Sequence, residues 1–479
     1  MDMLVIDGTH GGVKLAVEFS KLGEYENIYL YDIYNTLNAS ERTRLDIKNV
    51  KIVELNEINS KDIIIVSPIH LPLTNEEIAS KINSENPKFI THHEGVKILL
   101  ESFFKNHQKI LKVEVTGVKG KTSSVFMLKE ILKDTHPLIL SSLGIIQSRE
   151  YHDIILKKDV SITPANIKEA VDLAYRIDNP RCNMGCIKTE NSDQINYKSL
   201  IVESSLGVTG IGDVGLLTNI VENYPIAKNR RDAKTAKSQV FKCGKIAIQK
   251  EALDKYYKKE YDQFKDKINT FSIDNNESNV TATDINYNID GTTLEIIYKN
   301  IKTIDDNLIS GEFKIRCFAI GPHHIENILG VVTTALTLEI PESKIAEGLK
   351  NYKGIEGRTN IKTLGDLKII EEVNPGINTK AIEFSIDMLN NPHDYSIVIG
   401  GDYGITCEEI DEKQVASLLT GKDDLNIILT GEVGKNINGK LNKKLPFKEN
   451  YKDAIKTAID SNSNVLLIYR SDYHRLSQR

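Results

Sequence analysis

The chain has 479 residues, of which 40% are hydrophobic and 27% charged, with a formal net charge of -6. That is an ordinary globular composition in a chain too long for one core, and at about 150 residues per domain it predicts three domains. A mildly acidic balance offers no general basic face for nucleic acid, and no uncharged apolar run approaches the roughly 18 residues of a membrane span. Five cysteines, an odd number, fit a reducing compartment rather than a disulfide framework. With Met-Asp-Met in place of a basic leader, the expected location is the cytoplasm, and the expected state is a monomer or homodimer without nucleic-acid or membrane partners.

Residues 1–108 alternate strand and helix signals, with β-branched runs at 4–7, 28–32, 50–53, 63–66 and 89–91. This rhythm predicts a small Rossmann-type parallel sheet with crossover helices. Gly8-Thr-His-Gly-Gly12 lacks the full dinucleotide fingerprint, although Asp32 follows about two dozen residues later. Gly11 and Gly12 are therefore read as an anion-binding helix start for a substrate carboxylate. His10, His70, His92 and His93 fall at predicted strand ends, which share one edge in a parallel sheet.

The second unit, residues 109–357, opens on Val113-Glu-Val-Thr-Gly-Val-Lys-Gly-Lys-Thr-Ser123. A strand runs into a glycine-hinged loop and then a helix start, which reads as a phosphate cradle. Gly117 and Gly120 let backbone N–H groups turn inward, Lys121 supplies a point charge, and Thr122 offers a hydroxyl to a phosphate-bound Mg²⁺. Only Val118 and Lys119 separate the glycines, where the generic P-loop has four residues. Further strands are expected at 200–203, 215–220, 246–249 and 269–273, then 280–289 and 292–299 around the hairpin signal Asp290-Gly291. A strand at 313–320 precedes Gly-Pro-His-His-Ile-Glu-Asn327, which opens a helical stretch. Glu203 ends its strand where an acid falls beside the phosphate loop and can hold Mg²⁺, or simply meets water. Lys237 by itself reads as a solvated lysine. His323 and Asn327 stand four apart, able to share a helix face toward a nucleotide or to serve as caps. Cys182 and Cys186 have no second ligand pair at a fitting distance and read as an incidental loop pair. Segments 181–198 and 300–310 read as solvated loops.

The third unit, residues 358–479, repeats the α/β rhythm with strands at 367–373, 395–399, 425–429 and 465–469. Arg358 stands at its boundary, where an arginine can stabilise a transferring phosphoryl group.

Together these residues resemble the Mur ligase family over nearly the whole chain. The resemblance implies an α/β, three-domain architecture: a Rossmann-type N-terminal domain, a P-loop central domain and a Rossmann-like C-terminal domain. It implies ATP on Thr116, Gly117, Val118, Lys119, Gly120, Lys121, Thr122 and Ser123, and Mg²⁺ on Thr122 and Glu203. It further implies that Lys237 is the family's often carbamylated lysine, that Gly321, His323 and Asn327 form its nucleotide motif, and that Arg358 is its Gly-x-x-Gly-Arg arginine. Lys121, Glu203, Lys237 and Arg358 become the catalytic set. The chain departs from the family at Glu222-Asn223-Tyr224, where an Asp-His pair is usual, which puts the family's second metal site in doubt or implies that it is rebuilt. It departs again at His324, and at Glu371, which stands where an aspartate normally opens the third domain.

These departures are similar to a branch found in methanogenic archaea, which closes the carbocyclic ring of a nickel tetrapyrrole, coenzyme F-430. The pieces that carry this likeness are Thr9-His-Gly-Gly12, Pro68-Ile-His-Leu71, Thr91-His-His-Glu94, Ser161-Ile-Thr-Pro-Ala165, the run from Glu203 to Asp213, and Asn374-Pro-Gly376. The implied reaction moves the γ-phosphoryl of ATP to a substrate carboxylate; a substrate carbon then attacks the acyl phosphate, giving the ring ketone, ADP and phosphate. A neutral histidine suits the proton removal this needs. His10, Gly11, Gly12, His70, His92, His93 and Thr163 are the substrate-side residues. Two alternatives are an amide-forming Mur-type ligase of pseudomurein synthesis and a nucleotide-binding partner protein without chemistry of its own.

Overall fold

The computed structural model describes residues 1–105, 107–179, 195–226, 230–288, 291–319, 321–355, 359–374, 377–389, 391–403, 410–461 and 463–471. Arg358, Gly357, the Cys182 and Cys186 pair, Asp290 of the hairpin signal and Pro375-Gly376 lie outside the described residues, as does most of the expected loop at 181–198. By compactness the chain divides into two units, residues 1–282 with 296–313 and 326–348, and residues 283–295 with 314–325 and 349–479.

The first unit holds a five-stranded sheet and most of a larger one, three strands of which include residues of the second unit. In the smaller, β1 (Asp2–Ile6), β2 (Ile28–Tyr31), β3 (Val50–Ile52), β4 (Asn59–Ser67) and β5 (Asn83–Thr91) lie in the order β3-β2-β1-β4-β5, every pair parallel. This is the Rossmann-type arrangement the β-branched rhythm predicts. Residues 3–6 of β1 are fully buried, as expected for a strand covered by helices on both faces. Because β1, β4 and β5 are parallel neighbours, the chain leaves them at one common edge, and His10, His70 and His92-His93 all follow there.

The larger sheet is built from β6 (Leu111–Thr116), β7 (Leu138–Ser141), β8 (Gly144–Ser148), β9 (Asp153–Lys157), β10 (Ser199–Glu203) and β11 (Val214–Leu217). After a small two-stranded piece, β12 (Pro225–Ile226) with β13 (Arg231–Asp232), it continues with β14 (Lys245–Gln249), β15 (Ile268–Phe271), β16 (Val280–Asn286), β17 (Thr292–Lys302) and β18 (Leu308–Cys317). The order is β18-β17-β16-β15-β14-β11-β6-β10-β7-β8-β9. The strand that feeds the phosphate loop, β6, thus lies between β11 and β10, parallel to both. Residues from the ends of those two strands are its nearest possible neighbours.

β7, β8 and β9 stand outside the periodic signals. β8 pairs antiparallel with both β7 and β9 and carries a register shift between Ile145 and Ile146, so no crossover rhythm announces them. The stretch 300–310, polar enough to predict a solvated loop, instead contains the end of β17 and the start of β18. Tertiary partners override composition there: Ile301 is fully buried, and the Asn269 side chain bonds the backbone of Lys302 through its carbonyl oxygen (2.9 Å) and its amide (2.9 Å).

The second unit contains a six-stranded sheet, β19 (Thr359–Leu364), β20 (Leu367–Val373), β21 (Tyr395–Gly401), β22 (Asn426–Thr430), β23 (Phe447–Lys448) and β24 (Asn464–Arg470). Its order is β19-β20-β24-β21-β22-β23, parallel except for the antiparallel edge pair β19-β20. Among the described residues, no helix is long and apolar enough to cross a membrane.

Candidate active site

The loop after β6 is held open by its glycines. Gly117 has φ +147° and Gly120 φ +83°; a Cβ on the first would lie 1.9 Å from Thr218 Oγ1, and on the second 1.9 Å from Asn327 Oδ1. Side chains are excluded at both places by backbone conformation and by space. The loop is braced from β11's end: Asn219 Oδ1 accepts from Lys119 N–H (3.0 Å), Asn219 O accepts from Val118 N–H (3.0 Å), and Thr218 Oγ1 donates to Lys119 O (2.7 Å). Gly120 then caps the helix Lys121–Ile131, whose first-turn N–H groups and dipole favour an anion. Thr116 is fully buried at the root of the loop. Lys121 Nζ donates to Val118 O at 3.3 Å.

On the other flank, Glu203 ends β10 at 2% exposure. Its carboxylate oxygens lie 3.1 and 3.0 Å from Thr122 Oγ1, and Oε2 accepts from Ser142 N–H at 3.1 Å. Ser142 Oγ sits 3.2 Å from Thr122 Oγ1. A buried carboxylate and two hydroxyls converging at the mouth of a phosphate loop make an all-oxygen donor set. That set fits Mg²⁺, which takes one or two carboxylates and completes its shell with water and phosphate oxygens. Thr122 and Glu203 would hold the ion, and Ser142 is an additional oxygen that chain spacing alone does not reveal.

Lys237, on the helix Ala233–Lys237, is fully buried, and Nζ donates to Ser205 O (2.7 Å) and lies 5.7 Å from the centre of the Tyr224 ring. Burial first, then the Lys121 ammonium, push its pKa down to about 7. The departure at Glu222-Asn223-Tyr224 has a structural use. Asn223 Nδ2 donates to Asp232 Oδ2 (2.9 Å) and Asn223 Oδ1 accepts from Lys234 N–H (2.9 Å), so this residue is occupied in securing the Lys237 helix while Tyr224 faces the lysine.

The run from Glu203 to Asp213 also divides by role. Glu114, buried on β6, accepts from Thr209 N–H (2.8 Å), Thr209 Oγ1 (2.7 Å), Gly210 N–H (2.8 Å) and Gly212 N–H (3.0 Å). The second half of the motif is thus a cradle for a structural carboxylate, and only its first residues face the site.

The histidines surround a cavity of ≈ 280 Å³, whose walls include His10, His70, His92, His93, Thr163 and Ser205. Each is set there by local chemistry. The turn Gly8–Gly12 brings His10 over; a Cβ on Gly11 would lie 2.6 Å from Ala165 Cβ and one on Gly12 1.8 Å from Asp7 O, so both glycines permit close approach. His70 lies within a turn closed by Leu71 N–H on Pro68 O (3.1 Å). Thr91 and Glu94 form a reciprocal capping box, with Thr91 N–H to Glu94 Oε2 at 2.8 Å and Glu94 N–H to Thr91 Oγ1 at 3.1 Å, which fixes His92 and His93 in the first turn of the helix His92–Phe104. Thr163 precedes the helix Pro164–Asp178 without spending its side chain on capping. His92 Nε2 meets Ile6 O at 3.0 Å, while neither nitrogen of His93 has a partner among the described residues. Burial drives the pKa of His92 down to about 4 and of His93 to about 3, so both are neutral at pH 7.

The cavity and the phosphate site share a wall. Ser205 and Leu206, two and three residues beyond Glu203, line the cavity, and Ser205 O is also the acceptor for Lys237. Ile69, next to His70, is buried with Ala236 and Ile226, with Leu206 and Tyr224 packed against them.

His323 and Glu371 belong to the second unit, whereas Asn327 belongs to the first. His323 is exposed and packs against the buried His324, ring centres 4.0 Å apart; Glu371 on β20 pairs with Lys362 of β19 at 3.2 Å.

A Rossmann-type sheet, a central sheet with its P-loop, and a Rossmann-like C-terminal sheet define the Mur ligase fold. MurF from Acinetobacter baumannii has this fold, with a TM-score of 0.57 at 14% identity over 88% of this chain and 90% of that one. Within the class, residues 361–472 match the family described as coenzyme F430 synthetase CfbE, C-terminal domain. The coenzyme F(430) synthetase of Methanocaldococcus jannaschii is 30% identical over 92% of this chain and 93% of its own length, and that of Methanosarcina acetivorans is 24% identical over 90% of each. The chain belongs to the coenzyme F430 synthetase family.

Proposed function

We propose that this protein is an ATP-dependent ligase that activates a propionate carboxylate of a nickel seco-tetrapyrrole as an acyl phosphate. It then closes the carbocyclic ring by carbon–carbon bond formation, releasing coenzyme F-430, ADP and phosphate. Nickel enters as part of the substrate. The observation that carries the reading is the shared wall: the strand that delivers Glu203 to the phosphate loop continues into Ser205 and Leu206, which line the histidine cavity. Carboxylate activation and carbon attack then take place on two sides of one short segment.

Phosphoryl transfer demands positioning and charge neutralisation more than covalent help. Lys121 and the first-turn N–H groups of its helix bind the phosphates. Thr122 and Glu203 would hold Mg²⁺, which would supply positive charge to offset that of the phosphates. Arg358 takes the role of stabilising the transferring phosphoryl group, and His323, Asn327 and Glu371 contribute to the nucleotide's surroundings. The buried amine of Lys237, with a pKa of about 7 and so about half deprotonated at pH 7, suits either carbamylation or contact with the substrate carboxylate. Gly11, Gly12, Thr163 and the histidines receive the tetrapyrrole. The chain is assigned three domains, 1–108, 109–357 and 358–479.

Incubation with ATP, Mg²⁺ and either a nickel seco-tetrapyrrole or a panel of amino acids with carboxylated precursors separates the readings by ADP release. Tetrapyrrole-dependent ADP with a ring-closed product supports ring closure. Amino-acid-dependent turnover replaces it with amide ligation, and product formation unaffected by Lys121→Ala points to a partner protein.

A further inference from the structure

Four histidines line the cavity, and they differ in what holds them. Asp7, the residue after β1, is fully buried and has a backbone φ of +84° with ψ 106°, a conformation that non-glycine residues rarely adopt. The strain turns its carboxylate toward the histidine edge. Oδ1 accepts from Thr9 N–H at 2.7 Å, and Oδ2 lies 2.5 Å from His10 Nδ1 and 3.7 Å from His70 Nε2. The His10 and His70 rings meet edge to face, centres 4.2 Å apart.

Burial by itself raises the Asp7 pKa, but His70, the Thr9 N–H and His10 outweigh it and hold the group at about 2. The carboxylate is therefore ionised and accepts only. The proton in the short contact belongs to His10 Nδ1, and the lone pair of the neutral ring is on Nε2. His10 keeps 42% of its side-chain surface exposed. The other three are less well placed. His92 spends Nε2 on Ile6 O, and burial opposes a proton on either His92 or His93. His70 presents Nε2 toward the same Asp7 oxygen.

We propose that Asp7 and His10 form a carboxylate–imidazole dyad in which His10 Nε2 takes the proton from the attacking substrate carbon, with Asp7 as the residue that positions the ring. This rests on the ring-closing reading of the function. In the step, the carbon–carbon bond forms at the acyl carbon and the acyl carbon–oxygen bond to phosphate breaks. Phosphate leaves with that electron pair, and the proton from the attacking carbon passes to Nε2 and then to phosphate or water. The buried carboxylate stabilises the imidazolium formed on the way, as a carboxylate does behind a catalytic histidine in general.

The test uses the full-length protein with ATP, Mg²⁺ and the nickel seco-tetrapyrrole, and measures ring-closed product beside the hydroxamate formed when hydroxylamine traps the acyl phosphate. Asp7→Asn is expected to lower kcat for ring closure by about 100-fold or more with little change in the KM for tetrapyrrole, and the ratio of ring closure to hydroxamate falls with it. His10→Ala lowers the same ratio, and added imidazole restores part of it, a rescue that a folding defect does not allow. Asp7→Asn closing the ring at the wild-type rate overturns the dyad. So does a loss confined to His70→Ala, or a ratio unchanged in both dyad variants. A wild-type protein that consumes ATP with the tetrapyrrole but closes no ring overturns the functional reading itself, which is a separate result.

Discussion

The phosphate loop and the histidine cavity both sit at the carboxyl edge of a parallel sheet, yet they treat polar groups in opposite ways. At the loop, polar groups are given partners: Glu203 receives Thr122 and Ser142, and Lys121 and the helix N-terminus it opens both face an anion site. At the cavity, His92 and His93 are stripped of charge by burial, His93 has no partner among the described residues, and the ionised Asp7 is buried behind His10 and His70. On the proposed function, the first region stabilises a transferring phosphoryl group and the second exchanges a proton with a bulky substrate.

Variants that remove charge should therefore separate the regions most sharply. Lys121→Ala is expected to lower substrate-dependent ADP formation by about 10³-fold, and Glu203→Gln by about 10²-fold with a raised requirement for Mg²⁺. A Glu203→Gln protein with unchanged magnesium dependence breaks the assignment of the loop. Both regions also rest on glycines, and there they should behave alike. Gly120→Ala drives a Cβ onto Asn327 Oδ1 and Gly12→Ala drives one onto Asp7 O, so each should cost about 2–4 kcal/mol in denaturant unfolding. Only the first should also weaken nucleotide binding, read by calorimetry.

Acid distinguishes the regions again. In the unfolded chain a histidine protonates near about 6.5, whereas His92 and His93 in the fold protonate only at about 4 and about 3. Below that unfolded value the unfolded state binds more protons, so the stability these groups contribute is complete above it and is lost as pH falls toward 4. Between pH 7 and pH 5 each should remove about 2 kcal/mol, and His93→Leu should flatten the fall in melting temperature. The smallest effect belongs to the capping box: Thr91→Ala should cost about 1 kcal/mol and disturb ring closure before it disturbs ADP formation.

The same contrast governs what the sequence discloses. The loop is contiguous, so Gly117, Gly120, Lys121 and Thr122 can be read from spacing, and Glu203 from its place at a strand end. Their braces, Thr218, Asn219 and Ser142, come from neighbouring strands, and only the order β11-β6-β10-β7 brings them in. The histidines can be placed on one edge by the parallel rhythm of residues 1–108. What cannot be read is which of them lose their charge, because that follows from burial in the fold, and the cavity wall includes Ser205 and Thr163, far away in sequence. Asp7 looks like the tail of a strand; an acid three residues before His10 is its only linear signal. Thr91-His-His-Glu94 carries two messages at once, a helix cap that any reader of capping boxes can see and a pair of cavity residues that the cap positions.

The account stands on the carboxylate being activated before carbon attacks it. A single turnover with the substrate propionate labelled in both oxygens with ¹⁸O tests this directly, read as the mass of the phosphate released. Acyl phosphate formation predicts one ¹⁸O in each phosphate, and one left in the ring ketone; unlabelled phosphate accompanying ring closure contradicts it.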